Sequence, residues 1–259
     1  MKTYFIIGAF IIIAALGYIM INSQTINSQN VIIDGMRVRT KVNIFLLGDS
    51  VLNNTMYVPS NKSVGMMLKK RYPDTSLLAK DKATIKDVYS QLTKMDKKNK
   101  RVNANQFIFL SIGGNDIMGL IDKHGAPAIN DNIVENLRSK VDSIFSEYVQ
   151  LVEAIQKKLP GAKLGLFNVY YPVDYSFDYN TDPKIIEDLI TYWNGKLSAK
   201  FISFNEDKVL LNNPLLIALD EVLSEPADFI NQIEPSMRGG KKIVTLIEKF
   251  IQKNPKQPK

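Results

Sequence analysis

The feature that most restricts the fold of this chain is a regular alternation of two periodicities, beginning near Lys41. Five short apolar runs, "VNIFLL" (42–47), "TSLLA" (75–79), "QFIFLSI" (106–112), "KLGLFNV" (163–169) and "KVLL" (208–211), have the length and composition of buried strands. Between and after them lie helical patterns at 63–71, 84–95, 131–159, 183–203 and about 236–252. The clearest is 131–159, where Ile133, Val134, Leu137, Val141, Ile144, Phe145, Tyr148, Leu151, Val152 and Ile155 recur at three- and four-residue steps until Pro160 and Gly161 stop the helix. Strands separated by helices imply βαβ crossovers and a parallel sheet covered on both faces. The expected fold class is therefore α/β: a three-layer α/β/α sandwich on a five-stranded parallel, flavodoxin-like sheet. Ligands of such sheets bind beyond the carboxyl ends of the strands. Ser50, Asn115 and Tyr170-Tyr171 all fall at those ends.

Composition narrows the function classes. The 259 residues are 45% apolar and 23% charged, enough for a full core without staples, and no internal repeat or second core is visible. One domain over 42–252 is expected. With no cysteine, disulfides, thiolate metal sites and a cysteine nucleophile are excluded. The net charge of +7 comes from scattered lysines, as in "LKKRYP" and "KMDKKNKR". A nucleic-acid footprint needs a basic stripe with interleaved aromatics, so no nucleic-acid partner is expected. Metal-ligand spacings, a phosphate loop and a dinucleotide fingerprint are all missing, so neither metal nor cofactor is expected.

Residues 4–21, "YFIIGAFIIIAALGYIMI", carry no charge and follow Lys2. Eighteen such residues just suffice to span a bilayer. The sequence beyond them, "GYIMINSQ", offers no good small-residue cleavage pair, so 1–22 reads as an uncleaved anchor. Lys2 favours a cytoplasmic N-terminus, with the remainder on the extracytoplasmic side. Secretion after cleavage of a signal is the alternative. Residues 23–41 read as a linker and 253–259, rich in Lys and Pro, as a disordered tail.

Two strand ends carry matching polar punctuation: "LLGDS" at 46–50 and "SIGGND" at 111–116. Glycine lets the backbone turn sharply and a substrate approach closely. An Asn amide at such a place can donate to a developing oxyanion, a contact worth about 2.7–4 kcal/mol. Each motif alone is a weak signal; a pair, each directly after a buried strand, makes a constellation. Trp193, on a helix with Ile186, Leu189, Ile190 and Leu197, reads as core. The tyrosines of "NVYYPVDYSFDY" read either as a substrate-contacting wall or as packing over the core edge.

With these blocks in place the chain resembles the SGNH (GDSL-type) hydrolase family. That family has G-D-S after the first strand, an oxyanion-hole glycine after the second, G-x-N-D after the third and D-x-x-H before the last helix. Gly48-Asp49-Ser50 and Gly113-Gly114-Asn115-Asp116 match the first and third blocks, with Gly48, Asp49, Gly113 and Asp116 as supporting residues. The resemblance spans roughly 42–252. It implies that Ser50 is the nucleophile of an ester hydrolase, and that the Ser50 backbone N–H and the Asn115 amide belong to the oxyanion hole. The second block aligns with Lys82 at the glycine position, where a backbone N–H remains available.

The last block departs from the pattern. Family members often read D-x-x-H-P-S-x-x-G-x-x-x-I, and this chain reads "NQIEPSMRGGKKI", with Pro235, Ser236, Gly239 and Ile243 in register. Glu234 therefore stands at the histidine position and Asn231 at the aspartate position. A carboxylate is a weaker base than imidazole by about 2 pKa units, a deficit that burial can reduce. Asn231 can donate a hydrogen bond to that carboxylate. Alternatively, both residues merely cap the last helix and catalysis is lost. The only histidine, His124, follows the third block by eight residues and is the other candidate base.

Two functions stay open at this point. One is a membrane-anchored ester hydrolase acting on a small molecule, glycan or lipid, with Ser50, Glu234 and Asn231 as its catalytic residues and Ser50, Asn115 and Lys82 in its oxyanion hole. The other is a degenerate binding protein of the same fold. Acyl transfer to a surface polymer would use the same residues as the first.

Overall fold

A computed structural model of the protein describes residues 30–33, 36–39, 41–98, 105–122, 131–171, 182–205 and 214–254. The chain divides into two units, 1–41 and 42–259, the second beginning where the apolar alternation begins. Within the first unit, β1 (Asn30–Ile33) pairs antiparallel with β2 (Met36–Arg39), with Ile33 opposite Met36. The region expected as a plain linker thus contains a hairpin. Its residues carry the cue: Val31-Ile32-Ile33 and Val38 flank an Asp-Gly pair, the composition of tight hairpin turns. Among the described residues no helix is long and apolar enough to cross a membrane; the segment 4–21 and the tail 255–259 lie outside them.

In the second unit strands and helices alternate along the chain. They are β3 (Val42–Gly48), α1 (Val64–Arg71), β4 (Thr75–Leu77), α2 (Ile85–Lys98), β5 (Asn105–Ser111), α3 (Gly114–Asp122), α4 (Asp131–Lys158), β6 (Lys163–Phe167) and α5 (Pro183–Lys200). The short strands β7 (Ile202–Ser203), β8 (Leu215–Ile217), β9 (Phe229–Ile230) and β10 (Glu234–Pro235) follow, and α6 (Met237–Lys253) ends the unit. The sheet order is β4-β3-β5-β6-β8-β7, and every neighbouring pair is parallel.

Two expectations need correction. The sheet has six strands and not five, because Ile202–Ser203 adds an edge strand beside β8. Two exposed residues are too few to carry a sequence period, and the helix expected to reach 203 ends at Lys200. The run 208–211 lies outside the described residues, and the strand found nearby is Leu215–Ile217. Finally, α3 was not visible as a helix, since it opens on Gly-Asn-Asp and carries a further glycine at 119.

Alternate strand residues feed two cores, as a doubly covered parallel sheet requires. Phe45, Leu47, Ile108, Leu110, Leu164 and Leu166 pack under α2, α3, α4 and α5 around Trp193 and Tyr148, whose rings meet edge to face at 5.3 Å. Ile44, Leu46, Phe107, Phe109 and Phe167 point to the other face, under α1 and α6, where Phe250 sits edge-on to Phe109 at 5.3 Å. Trp193 is fully buried core, as its helical neighbours predict. The chain runs from β3 to β4 on one side and from β5 to β6 on the other. The carboxyl ends of β3 and β5 therefore flank a topological switch point, where a crevice opens.

Candidate active site

The nucleophile strand end is built first by its glycine. Gly48 has φ +116°, and a Cβ there would stand 1.8 Å from the Ser111 carbonyl oxygen of the neighbouring strand. Only glycine allows this turn and this approach together. The Gly48 peptide is then clamped by a buried side chain: its N–H donates to Gln91 Oε1 at 2.7 Å, and its carbonyl accepts from Gln91 Nε2 at 2.8 Å. The Lys80 N–H adds a 2.9 Å bond to the same carbonyl. Asp49 follows, fully buried, with Oδ1 accepting from the Val51 N–H and from Ser111 Oγ, each at 3.2 Å. Burial pushes its carboxyl up to about 8, so Asp49 is neutral at pH 7 and adds no second charge beside the site. Ser50, itself buried, emerges between them.

The β5 end supplies the second wall. Gly113 has φ +113° and lies against the Trp193 ring, which a Cβ would meet at 2.5 Å. The turn starts α3, and Asn115 and Asp116 fall in its first turn. One Asn115 amide hydrogen is given to the Ala83 carbonyl at 2.9 Å, which orients the amide and leaves its second hydrogen for the cleft. The Asp116 carboxylate accepts from the Ile85 N–H at 3.1–3.2 Å, satisfying the first turn of α2; burial raises its pKa to about 6. Asp116 is thus a structural tie between two site-forming loops.

Glu234 arrives on β10, paired with Ile230 across a very short hairpin. Asn231 and Gln232, in the turn, have φ +48° and +70°, two consecutive left-handed residues as in primed hairpin turns. The arm is held from three sides. The Tyr170 hydroxyl donates to the Ile233 carbonyl, Asn54 Nδ2 donates to the Pro235 carbonyl at 3.0 Å, and Ser236 caps α6 by accepting from the Arg238 and Gly239 N–H groups. Asn54 is fully buried and its Oδ1 also accepts the Val64 N–H at 3.0 Å, linking the segment after Ser50 to α1 and to the Glu234 arm.

These supports bring Ser50 Oγ to 3.2 Å from Glu234 Oε1, with the hydroxyl donating. Burial is the main reason the Glu234 carboxyl lies above its ordinary value; the nearby Asp81 charge adds to this, while the Ser50 and Tyr57 hydroxyls and the Lys82 charge oppose it. Among the described residues its Oε2 is buried without a hydrogen-bond partner. Ser50, Glu234, Asn115, Asp49 and Ser111 share one cleft with the apolar Ile112, Ile117, Met118, Val169 and Ile190. The cleft encloses about 120 Å³ and its surface is largely hydrocarbon. An apolar pocket with a few convergent polar groups is the usual form of a small-ligand site.

The other expected site residues divide. Lys82 adopts the left-handed region with φ +56°, the conformation a glycine at that position would supply most easily, and its side chain is exposed. Asn231 is exposed, and no hydrogen bond joins it to Glu234 among the described residues. The expected Asn231–Glu234 pair is therefore not formed; the left-handed turn directs the two residues to different surroundings. His124 lies outside the described residues, as does most of the tyrosine-rich run after Tyr171. Tyr170 lines the cleft and also packs on Phe229 at 5.2 Å, so it serves as wall and as core edge at once. Gln91 and Asn54 were missed. For Gln91 a signal existed, since it sits on the buried stripe with Val88, Leu92 and Met95; for Asn54 the polar run "LNNT" gave none. Among the described residues no three of the Asp, Glu or His side chains gather to hold a metal ion.

Fold and site together define a doubly wound α/β domain with a serine at the switch point of its sheet. The domain resembles several solved structures. A member of the lipolytic G-D-S-L family from Veillonella parvula is 14% identical, with TM-score 0.53, covering 79% of this chain and 95% of its own. An extracellular lipase from Streptomyces rimosus is 14% identical, with TM-score 0.54, covering 80% and 98%. Phospholipase A1 from Streptomyces albidoflavus is 10% identical, also with TM-score 0.54, covering 80% and 98%. The chain thus has the fold of the G-D-S-L lipolytic proteins. No family model matches its sequence, and no curated protein matches it.

Proposed function

We propose that the protein is a serine ester hydrolase of SGNH type in which Glu234 replaces histidine as the general base. The observation that carries this reading is the 3.2 Å hydrogen bond from Ser50 Oγ to Glu234 Oε1 inside a mostly apolar cleft. Ser50 Oγ attacks the ester carbonyl while its proton passes to Glu234. The second Asn115 amide hydrogen and the Ser50 backbone N–H receive the oxyanion. Neutral Glu234 then protonates the departing alcohol oxygen, leaving an acyl-serine. A water then gives its proton to Glu234 as it attacks the acyl carbon, and Glu234 returns that proton to Ser50 Oγ as the acid leaves. Burial of Glu234 supports the scheme by recovering part of its deficit in basicity. The lipolytic enzymes of like fold favour a lipid or other acyl ester as substrate. The apolar segment 4–21 favours an anchored protein whose hydrolase domain works on the extracytoplasmic side.

The test is hydrolysis of short-chain aryl esters by the full-length protein in detergent between pH 4 and 9. Ser50→Ala is expected to fall to background and Glu234→Gln to lose about 10²–10⁴-fold in kcat. Asn115→Ala should lose about 10²–10³-fold. Because Glu234 must be ionised to accept the proton, kcat/KM should rise with pH through one carboxylate pKa above the ordinary Glu value. Activity of Ser50→Ala equal to wild type throughout the range refutes the proposal.

A further inference from the structure

Besides its Ser50 and Glu234 sides, the cleft has a wall at the carboxyl end of β6, outside every motif block. It is built as the nucleophile strand end is. Asn194, buried on α5, grips the Val169 peptide by both polar groups: its Oδ1 accepts the Val169 N–H at 3.0 Å, and its Nδ2 donates to the Val169 carbonyl at 2.7 Å. Asn168 is fixed as firmly. Its Oδ1 accepts the Leu219 and Asp220 N–H groups at 2.6 and 3.2 Å, and its Nδ2 donates to Asp220 Oδ1 at 2.6 Å. The second Asn194 amide hydrogen reaches Asp220 Oδ2 at 3.4 Å, joining the two networks. The backbone that carries the Val169 side chain is thus held from α5 and from the segment after β8. That side chain meets the oxyanion turn: a Cβ on Gly114, the residue before Asn115, would stand 4.0 Å from Val169 Cγ1. Ile190, one turn before Asn194 on α5, lines the same cleft.

The tetrahedral carbon formed on Ser50 Oγ has three other substituents, and the cleft divides among them. The oxyanion faces the Asn115 amide and the Ser50 N–H. The leaving oxygen faces Glu234, on the side where the Tyr170 hydroxyl donates to the Ile233 carbonyl. The acyl chain is left with the apolar lining formed by Ile112, Ile117, Met118, Val169 and Ile190. We propose that Val169, fixed by Asn194, is the end wall of an acyl subsite that admits only short chains, acetyl to butyryl, so that the substrates are short-acyl esters. The inference rests on the Ser50–Glu234 reading for its catalytic meaning. Val169 sets specificity by contact, and Asn194 is a positioning residue that acts through it.

Volume and rigidity set the limit together. The cleft encloses about 120 Å³. An apolar cavity of about 150 Å³ holds one benzene ring, so a chain of about four carbons fills this one. A longer chain has to displace part of the lining. Ile190 is buried in the core around Trp193 and has no room to retreat. The Val169 peptide cannot shift without breaking both of its Asn194 bonds. One methylene beyond what such a pocket holds is discriminated against by about 10–200-fold.

The experiment compares kcat/KM for aryl esters of two to eight acyl carbons, using full-length protein in nanodiscs so that no free detergent competes for the cleft. Wild type should peak between acetyl and butyryl and fall at least 10-fold by hexanoyl. Val169→Ala should raise the hexanoyl-to-acetyl ratio by about 10-fold, and Asn194→Leu should move it the same way by less. A loss of folding stability alone would lower every ester equally and leave the ratio unmoved. In parallel, N-methyl amides of two to six acyl carbons are titrated against the wild type and Val169→Ala, read by NMR of the Ile112, Ile117 and Ile190 methyl groups. Affinity should rise about 4-fold per methylene up to butyryl and then stop, whereas in Val169→Ala it should rise further. A wild-type optimum at hexanoyl or beyond, a ratio unchanged in Val169→Ala, or amide affinity that climbs through six carbons in the wild type overturns the proposal. The amide series needs no turnover, so it tests the wall even if Ser50→Ala refutes the hydrolase.

Discussion

The two halves of the cleft are built by different physics. The Ser50 half, at the ends of β3 and β5, is held by backbone constraint. Gly48 and Gly113 turn where no side chain fits, and Gln91 grips the Gly48 peptide by both of its polar groups. The Glu234 half is a two-residue strand on a left-handed turn, tied in by side chains reaching from elsewhere: Tyr170, Asn54 and the Ser236 cap. A half made of steric exclusion tolerates almost no substitution at its turns. One made of separate hydrogen bonds loses stability and alignment in increments, and its residue types can change while the arm stays in place.

The sharpest way to break the comparison is Gly48→Ala. It forces a Cβ into the Ser111 carbonyl and a disfavoured φ, and should cost about 3 kcal/mol or more in urea unfolding. A cost below about 1 kcal/mol would mean that the strand end is not sterically set. Next, Gln91→Leu strips two hydrogen bonds from a buried peptide and should cost about 2–3 kcal/mol, with the apolar α2 packing otherwise intact. On the other half, Asn54→Ala leaves the Val64 N–H and the Pro235 carbonyl without their partner, at about 1–3 kcal/mol. Its larger mark should be on kcat, since the Glu234 arm loses a tether; an unchanged kcat would show the arm to be held without Asn54.

Asp49 sharpens the contrast through pH. Its folded pKa of about 8 lies above its ordinary value of 3.8, so the folded state binds the extra proton. That stabilisation is complete below pH 3.8 and is lost as pH rises through about 8. Asp49→Asn, which stays neutral, should flatten this part of the stability–pH curve in chemical denaturation, and an unaltered slope would place the titration elsewhere. The smallest effect is expected at Asn231→Gly. A glycine suits the left-handed turn and the lost side chain does not reach Glu234, so stability should change by about 0.5 kcal/mol or less, with kcat unchanged. A large loss of kcat would restore Asn231 to the catalytic machinery.

Much of this was legible in residue order alone. Continuous apolar runs and period-3.6 patterns marked β3, β5, β6, α4 and α6 to within a residue or two, because each strand is buried on both faces and each helix on one. The doublet of Gly-Asp-Ser and Gly-Gly-Asn-Asp placed Ser50 and Asn115 at adjacent strand ends, since in a parallel sheet every strand delivers its carboxyl end to the same side. The register of "EPSMRGGKKI" put Glu234 before α6. Elements without a period stayed hidden: the edge strand Ile202–Ser203, the glycine-led α3, and the hairpin at 30–39, where a polar run before it masked the Asp-Gly cue.

What only the tertiary structure decided is which polar side chains meet. Ser50 and Glu234 are 184 positions apart, and Asn54 reaches Pro235 across 181, so no local pattern could pair them. Gln91 looked like any polar residue on a helix until its stripe was laid against the Gly48 peptide. Local sequence determines periodicity and turn chemistry, which are properties of neighbours along the chain. A hydrogen-bonded site depends on distances of about 3 Å between distant segments, and those are settled by the packing of the whole sheet and its helices.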